Sequence, residues 1–360
     1  PIFDASSLTV IPGLIEMHTH QSPVTHRIWL AYGVTTVREP VTNAYQAVEM
    51  REAIAAGVRP GPREFFTGES FDGSRIYYSS SMALDAGAEV DLQLERANLL
   101  GYDLVKTYVR LPDVVQKRVV AGAHRYGIPV TSHEFYPAMT YGTDGVEHIR
   151  GTSRRGYSPK VSQLNRSYQD VIDLLAASGM TLTPTMGIAD GSPGAGAFWL
   201  AVARDPSLLN DRRFRELFPA TLVHQVTQQA TDLRQDPRRQ NAMVTELIMP
   251  YGDTLRRLIA GGGKVVAGTD SPIIPPGISL HTEIQNFVEG GLTPFQALQT
   301  ATVWAAEALG AGEDLGTIEP GKLADLVIIK GDPLSDIRAT WNIHTVIKNG
   351  KAYSLDDLLH

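Results

Sequence analysis

Apolar and polar positions along this chain alternate between two periods. Short runs of period two, rich in Val, Ile and Thr, read as strands at Val10–His20, Tyr32–Glu39, Pro62–Thr67, Tyr102–Val109, Ile128–His133, Gly145–His148, Met180–Thr185 and Lys264–Asp270. Segments of helical period lie between most of them: Asn43–Gly57, Glu89–Leu100, Asp113–Tyr126, Ser167–Ser178, Asp253–Ala260, His281–Glu289 and Pro294–Leu309. Strands that alternate with helices call for a parallel sheet with helical crossovers. Eight such units predict an α/β fold, a (β/α)8 TIM barrel. An open doubly wound sheet is the competing arrangement, and no Gly-rich dinucleotide fingerprint follows the first strand.

Three stretches depart from this rhythm. The Gly-, Ser- and Tyr-rich segment Gly68–Met82 reads as a long loop. Residues from about 187 to 250 read as an insertion into a barrel that otherwise spans 11–314. The tail from Leu315 carries strand patterns separated by turns at Pro320-Gly321, Gly331-Asp332 and Asn349-Gly350. With the opening strand Ile2–Val10, it predicts a small β-sandwich unit built from residues 1–10 and 315–360.

Composition adds limits. Of the 360 residues, 43% are hydrophobic and 20% charged, enough for a large core. A net charge of −7 argues against nucleic acid as a partner, and no apolar run approaches the roughly 20 residues of a membrane span. The chain has no cysteine, so any metal must be held by nitrogen and oxygen.

Candidate chemistry sits at the carboxyl ends of the predicted strands, the face where barrels expose their variable loops. The first strand ends on His18 and His20, two apart and so on one face of an extended chain. Later strands bring Lys106, His133, His148 and Asp270 to the same end. Each alone has an ordinary explanation, such as a buried histidine, a turn aspartate or a lysine reaching out to water. Together they predict a metal site. Beside cations an ammonium is disfavoured, so the Lys106 amine is expected to be neutral and able to take up carbon dioxide as a bridging carbamate. His18 and His20 would then serve one ion with Asp270, and His133 and His148 the other. Tyr108 lies one step beyond Lys106 on the same strand face, placed either to donate to an oxyanion or to pack at the rim. Arg110, Arg150 and the pair Arg154-Arg155 are candidates for gripping a substrate carboxylate. Tyr77 and Tyr78 are candidates for the pocket wall, and His224 is the only histidine of the insertion.

The pieces VIPGLIEMHTH, VKTY, VTSH, GVEH, AGTD and LGTIEPGKLADLVII resemble the metal-dependent amidohydrolase superfamily. Within it the chain is similar to the imidazolonepropionase-like and prolidase-like branch, including the C-terminal part of propeller-fused members. The resemblance implies two divalent metal ions, zinc first, bound by His18, His20, carbamylated Lys106, His133, His148 and Asp270. It implies hydrolysis of an amide bond in a small peptide-like or N-acyl amino acid substrate, with Asp270 and Tyr108 as catalytic groups. The alternative is a mononuclear deaminase or a hydrolase of cyclic amides or lactones, in which Lys106 has no metal role. Relatives carry strands before the segment beginning at Pro1, so a missing N-terminal segment, a partner chain or a homo-oligomer is expected to cover the tail's edges. Propeller-fused relatives favour an extracytoplasmic location.

Overall fold

The computed structural model describes residues 6–85, 87–151, 160–188 and 196–359. Ten short strands are parallel and fall into two sheets. One holds β2 (Leu14–Glu16), β3 (Val34–Glu39) and β4 (Arg63–Phe66) in that order. The other runs β11 (Lys264–Val265), β10 (Thr181–Thr183), β9 (Gly145–Glu147), β8 (Val130–Ser132), β7 (Val105–Thr107), β5 (Ser70–Asp72) and β6 (Ser81–Ala83). The ladder is not continuous between them, but scattered backbone bonds link their borders. Met17 N donates to Ala267 O at 2.9 Å, and Asp103 N donates to Phe66 O at 3.0 Å.

All eight strand segments expected from the sequence contain strand. β5 and β6 correct the expectation of a bare loop at Gly68–Met82. They are three residues each, too short to show a period. Asn43 caps the helix Ala44–Ala55 by accepting from Gln46 N, which explains why its start was legible. The helix expected at Pro294–Leu309 is two helices, Pro294–Thr300 and Val303–Ala308. Its break is tertiary in origin: the carbonyls of Thr300 and Ala301 accept from the amides of Ala267 and Ile15 instead of from the next helical turn.

The tail strands β12 (Leu326–Ile329), β13 (Ile343–Lys348) and β14 (Lys351–Tyr353) pair antiparallel, and β1 (Thr9–Pro12) joins through β12. Among the described residues this is one four-stranded sheet, where a sandwich was expected. Residues 1–5 lie outside the described residues. The segment expected to be an insertion is helical where described, with helices Ala197–Arg204, Arg212–Leu217, Ala220–Arg234 and Pro237–Met243. Its Phe198, Leu200, Phe214 and Val226 are buried in the main hydrophobic core. No helix among the described residues is long and apolar enough to cross a membrane.

Candidate metal centre

Five parallel strands deliver the site. His18 lies two residues past β2, His133 and His148 follow β8 and β9 directly, Lys106 sits within β7, and Asp270 lies five residues past β11. His18, His20, Lys106, His133, His148 and Asp270 all line one cleft of about 280 Å3, together with Tyr108, Tyr78, Ser80, Val41 and Ile273. Every expected metal ligand is therefore in the same place.

Asp270 is the meeting point. Its Oδ1 lies 3.1 Å from His20 Nε2 and 3.5 Å from His18 Nε2, while its Oδ2 is 3.8 Å from His148 Nε2. The backbone holds it there: Asp270 N donates to His18 O at 2.7 Å, and His20 N donates to Ser271 O at 2.7 Å. Between these segments, a Cβ on Gly268 would come within 2.8 Å of His18 N, so only glycine permits the approach. Both Asp270 and His148 have φ of +58°, a left-handed conformation that L side chains resist and that clusters at functional sites.

Three histidines are oriented by their far nitrogens. His18 Nδ1 pairs with Glu147 Oε2 at 2.7 Å, His20 Nδ1 with Val41 O at 3.1 Å, and His148 Nδ1 with Thr185 Oγ1 at 2.7 Å. Each leaves Nε2 directed to Asp270, the pattern by which outer partners set the tautomer of a metal-bound imidazole. His133 Nδ1 is buried with no hydrogen-bond partner among the described residues, a nitrogen whose lone pair is free for a cation. Its ring meets those of His148 and Tyr108 edge to face, with centroids 4.5 and 4.4 Å away. Nitrogen and oxygen donors, one orphaned imidazole and no thiol fit a divalent cation. The ligand atoms of His18, His20 and Asp270 lie within 4.8 Å of one another, so that group alone could hold a metal.

Burial sets the charges. It pushes His18, His133 and His148 below the usual imidazole range, keeping them neutral and able to ligate. It brings Lys106, 1% exposed, down to about 8 against the pull of Glu147. Burial would raise Asp270, but the surrounding imidazoles outweigh it and hold the carboxyl below its ordinary value.

Beneath the cleft lies a layer that sequence reasoning missed. Glu147, fully buried, accepts from Arg38 Nη2 at 2.7 and 2.8 Å and from Thr131 Oγ1. Arg38 Nη2 also donates to Thr183 Oγ1 at 3.1 Å, and its Nε donates to Met17 O. Lys160 Nζ donates to the carbonyls of His133 and Glu147 at 3.0 and 2.8 Å. The one available signal was Glu147 beside His148, a carboxylate inside an otherwise apolar strand. Nothing marked Lys160.

The arginines are placed elsewhere. Arg110 donates to the carbonyls of Arg75 and Ile76 at 2.8 and 3.1 Å and stacks over Tyr77 at 5.1 Å, so it secures the loop bearing Tyr77 and Tyr78. Arg150 donates to Asn165 Oδ1 at 2.9 Å and is not among the cleft-lining residues. Arg154 and Arg155 lie outside the described residues. His224 is exposed on the helix Ala220–Arg234, away from the cleft lining.

The amidohydrolase family model matches residues 9–353, and the chain belongs to that family. It is 39% identical over 109 residues to an imidazolonepropionase of Geobacillus kaustophilus (strain HTA426), a match covering 29% of this chain and 26% of the relative. The chain thus matches about a quarter of that relative's length. Among solved structures it superposes on a Xaa-Pro dipeptidase with bound methionine, TM-score 0.67 at 24% identity, covering 97% of this chain and 87% of the other. A putative prolidase from Bifidobacterium longum gives TM-score 0.68 at 22% identity, covering 99% and 85%. The family match and these superpositions give the chain a TIM-barrel-like α/β fold.

Proposed function

We propose that this chain is a metal-dependent hydrolase that cleaves an amide C–N bond in a small peptide-like or N-acyl amino acid substrate. In this reading eight of the ten parallel strands, β2–β4 and β7–β11, close into one barrel whose mouth would hold two divalent cations, zinc first. The convergence of six donor side chains on one cleft carries the proposal. His18, His20 and Asp270 would hold one ion, His133 and His148 the other, with a carbamate on Lys106 between them. When bound, the ions would polarise the substrate carbonyl and bring a water's pKa towards neutrality.

The chain's own groups supply the rest. Asp270, kept ionised by its imidazole neighbours, accepts the proton of the attacking water and returns it to the leaving nitrogen. Tyr108, edge to face with His133 in the cleft wall, would donate to charge developing on the carbonyl oxygen. Tyr78 and Ile273 line the mouth, and Arg110 acts through the loop it holds rather than on a substrate carboxylate.

A mononuclear deaminase or cyclic-amide hydrolase is the second reading. It is favoured by the grouping of His18, His20 and Asp270 as the one tight cluster of donors among the described residues. Chelation is expected to abolish activity and added zinc to restore it. Lys106→Ala is expected to lower kcat/KM on the order of 10²-fold or more, because it removes the group between the ions. Activity surviving Lys106→Ala would favour the mononuclear reading, and activity surviving chelation would contradict both.

A further inference from the structure

A second cavity, about 460 Å3, opens beside the metal cleft. The two share Ile273, which lines both. The connection follows from the strands themselves. Past β10 the chain passes Thr185, which orients His148, and runs on through Gly187 and Ile188 into the cavity wall. Past β11 it passes Asp270 and runs on through Ile273 and Ile274 into the same wall. Glu283 secures the first of these segments by accepting from the amides of Met186 and Gly187 at 2.7 and 2.8 Å.

The outer wall comes from the helical segment that broke the barrel rhythm in the sequence. Trp199, Leu217 and Phe218 contribute, and the helix Ala220–Arg234 adds Leu222, Gln225, Val226 and Gln229 at spacings of three and four. The lining is overwhelmingly apolar. Its size falls in the range of ordinary ligand pockets, which combine apolar walls with a few polar groups. Gln229 Oε1 is such a group, buried with no hydrogen-bond partner among the described residues. Ile273 and Val24, 50% and 77% exposed, leave large apolar side chains open to water at this cavity.

We infer that this cavity receives a long alkyl or aryl substituent of the amide cleaved in the adjoining cleft, an assignment that rests on the hydrolytic reading above. The helical segment is thereby a specificity element: it selects substrates with one large apolar arm and leaves the chemistry to the barrel. Each methylene that enters is expected to raise kcat/KM roughly fourfold until the cavity is filled.

Two matched series of amides test this with the zinc-loaded protein, one lengthened on the acyl side and one on the amine side. A rise with chain length in either series is expected. Leu222→Trp should cut the rise short, the optimum moving to shorter chains. Leu222→Ala, which can only enlarge the cavity, should move the optimum to longer chains and guards against misfolding of the first variant. Flat or falling profiles in both series, or a rise unmoved by both variants, would overturn the assignment. Calorimetric titration with n-alkyl carboxylates from butyrate to decanoate requires no turnover. Affinity climbing with length in the wild type and not in Leu222→Trp supports the cavity assignment even where no amide is cleaved, an outcome that would reject the hydrolytic reading alone. Length-independent binding would reject the cavity assignment.

Discussion

Asp270→Asn is expected to lower kcat/KM on the order of 10³-fold or more while the protein remains folded. The expectation follows from the crowding at this one side chain. Its two oxygens face His18, His20 and His148 at 3.5, 3.1 and 3.8 Å, so the carboxylate both completes the donor set and stands ready to move a proton. Asparagine preserves the shape and can satisfy the same left-handed backbone, a conformation asparagine tolerates better than most residues. It cannot carry a proton between water and leaving group, and it is a weaker metal donor. Hydrolysis rates with circular dichroism on the same preparation check it. A folded variant within tenfold of the wild type would remove Asp270 from the chemistry.

Glu147→Ala is expected to cost about 3–5 kcal/mol of stability, because it strands a buried charge. Arg38 donates twice to this carboxylate and is itself 6% exposed, so its guanidinium would be left in a dry interior with only Met17 O and Thr183 Oγ1 as partners. The same change frees His18 Nδ1 and is expected to weaken metal binding about 10–100-fold. Glu147→Gln, which keeps one hydrogen bond to each neighbour and loses the charge, should fall between. Denaturant unfolding and metal titration read the two effects separately. A Glu147→Ala protein of wild-type stability and metal affinity would show the network beneath the cleft to be unimportant.

Much of this site was legible because barrel geometry converts a one-dimensional cue into a three-dimensional one. A polar residue that ends an apolar run, as His133 ends IPVTSH and His148 ends GVEH, is delivered to the same face as every other such residue. The layer below was harder to see. Arg38 and Glu147 lie inside strands, where period-two alternation makes a polar residue look solvent-facing, and only the tertiary packing shows that both are buried. Arg110 misled for the opposite reason: a guanidinium near the rim suggests substrate, but its Nη1 donates to the carbonyls of Arg75 and Ile76 in the loop between β5 and β6. The pairing of β5 with β7 and the break at Ala301 depend on partners far away in the chain, which no local window contains. The helical segment after Gly187 carried no motif at all, and its contribution emerges only where it meets Ile273.

The central claim is that six side chains hold a pair of cations at one mouth. Elemental analysis of the purified protein, paired with the mass of the peptide containing Lys106 from a preparation kept in bicarbonate, tests it most directly. The account predicts two divalent ions per chain and a Lys106 heavier by one carbon dioxide. One tightly bound ion with an unmodified lysine, or no stoichiometric metal, would contradict it.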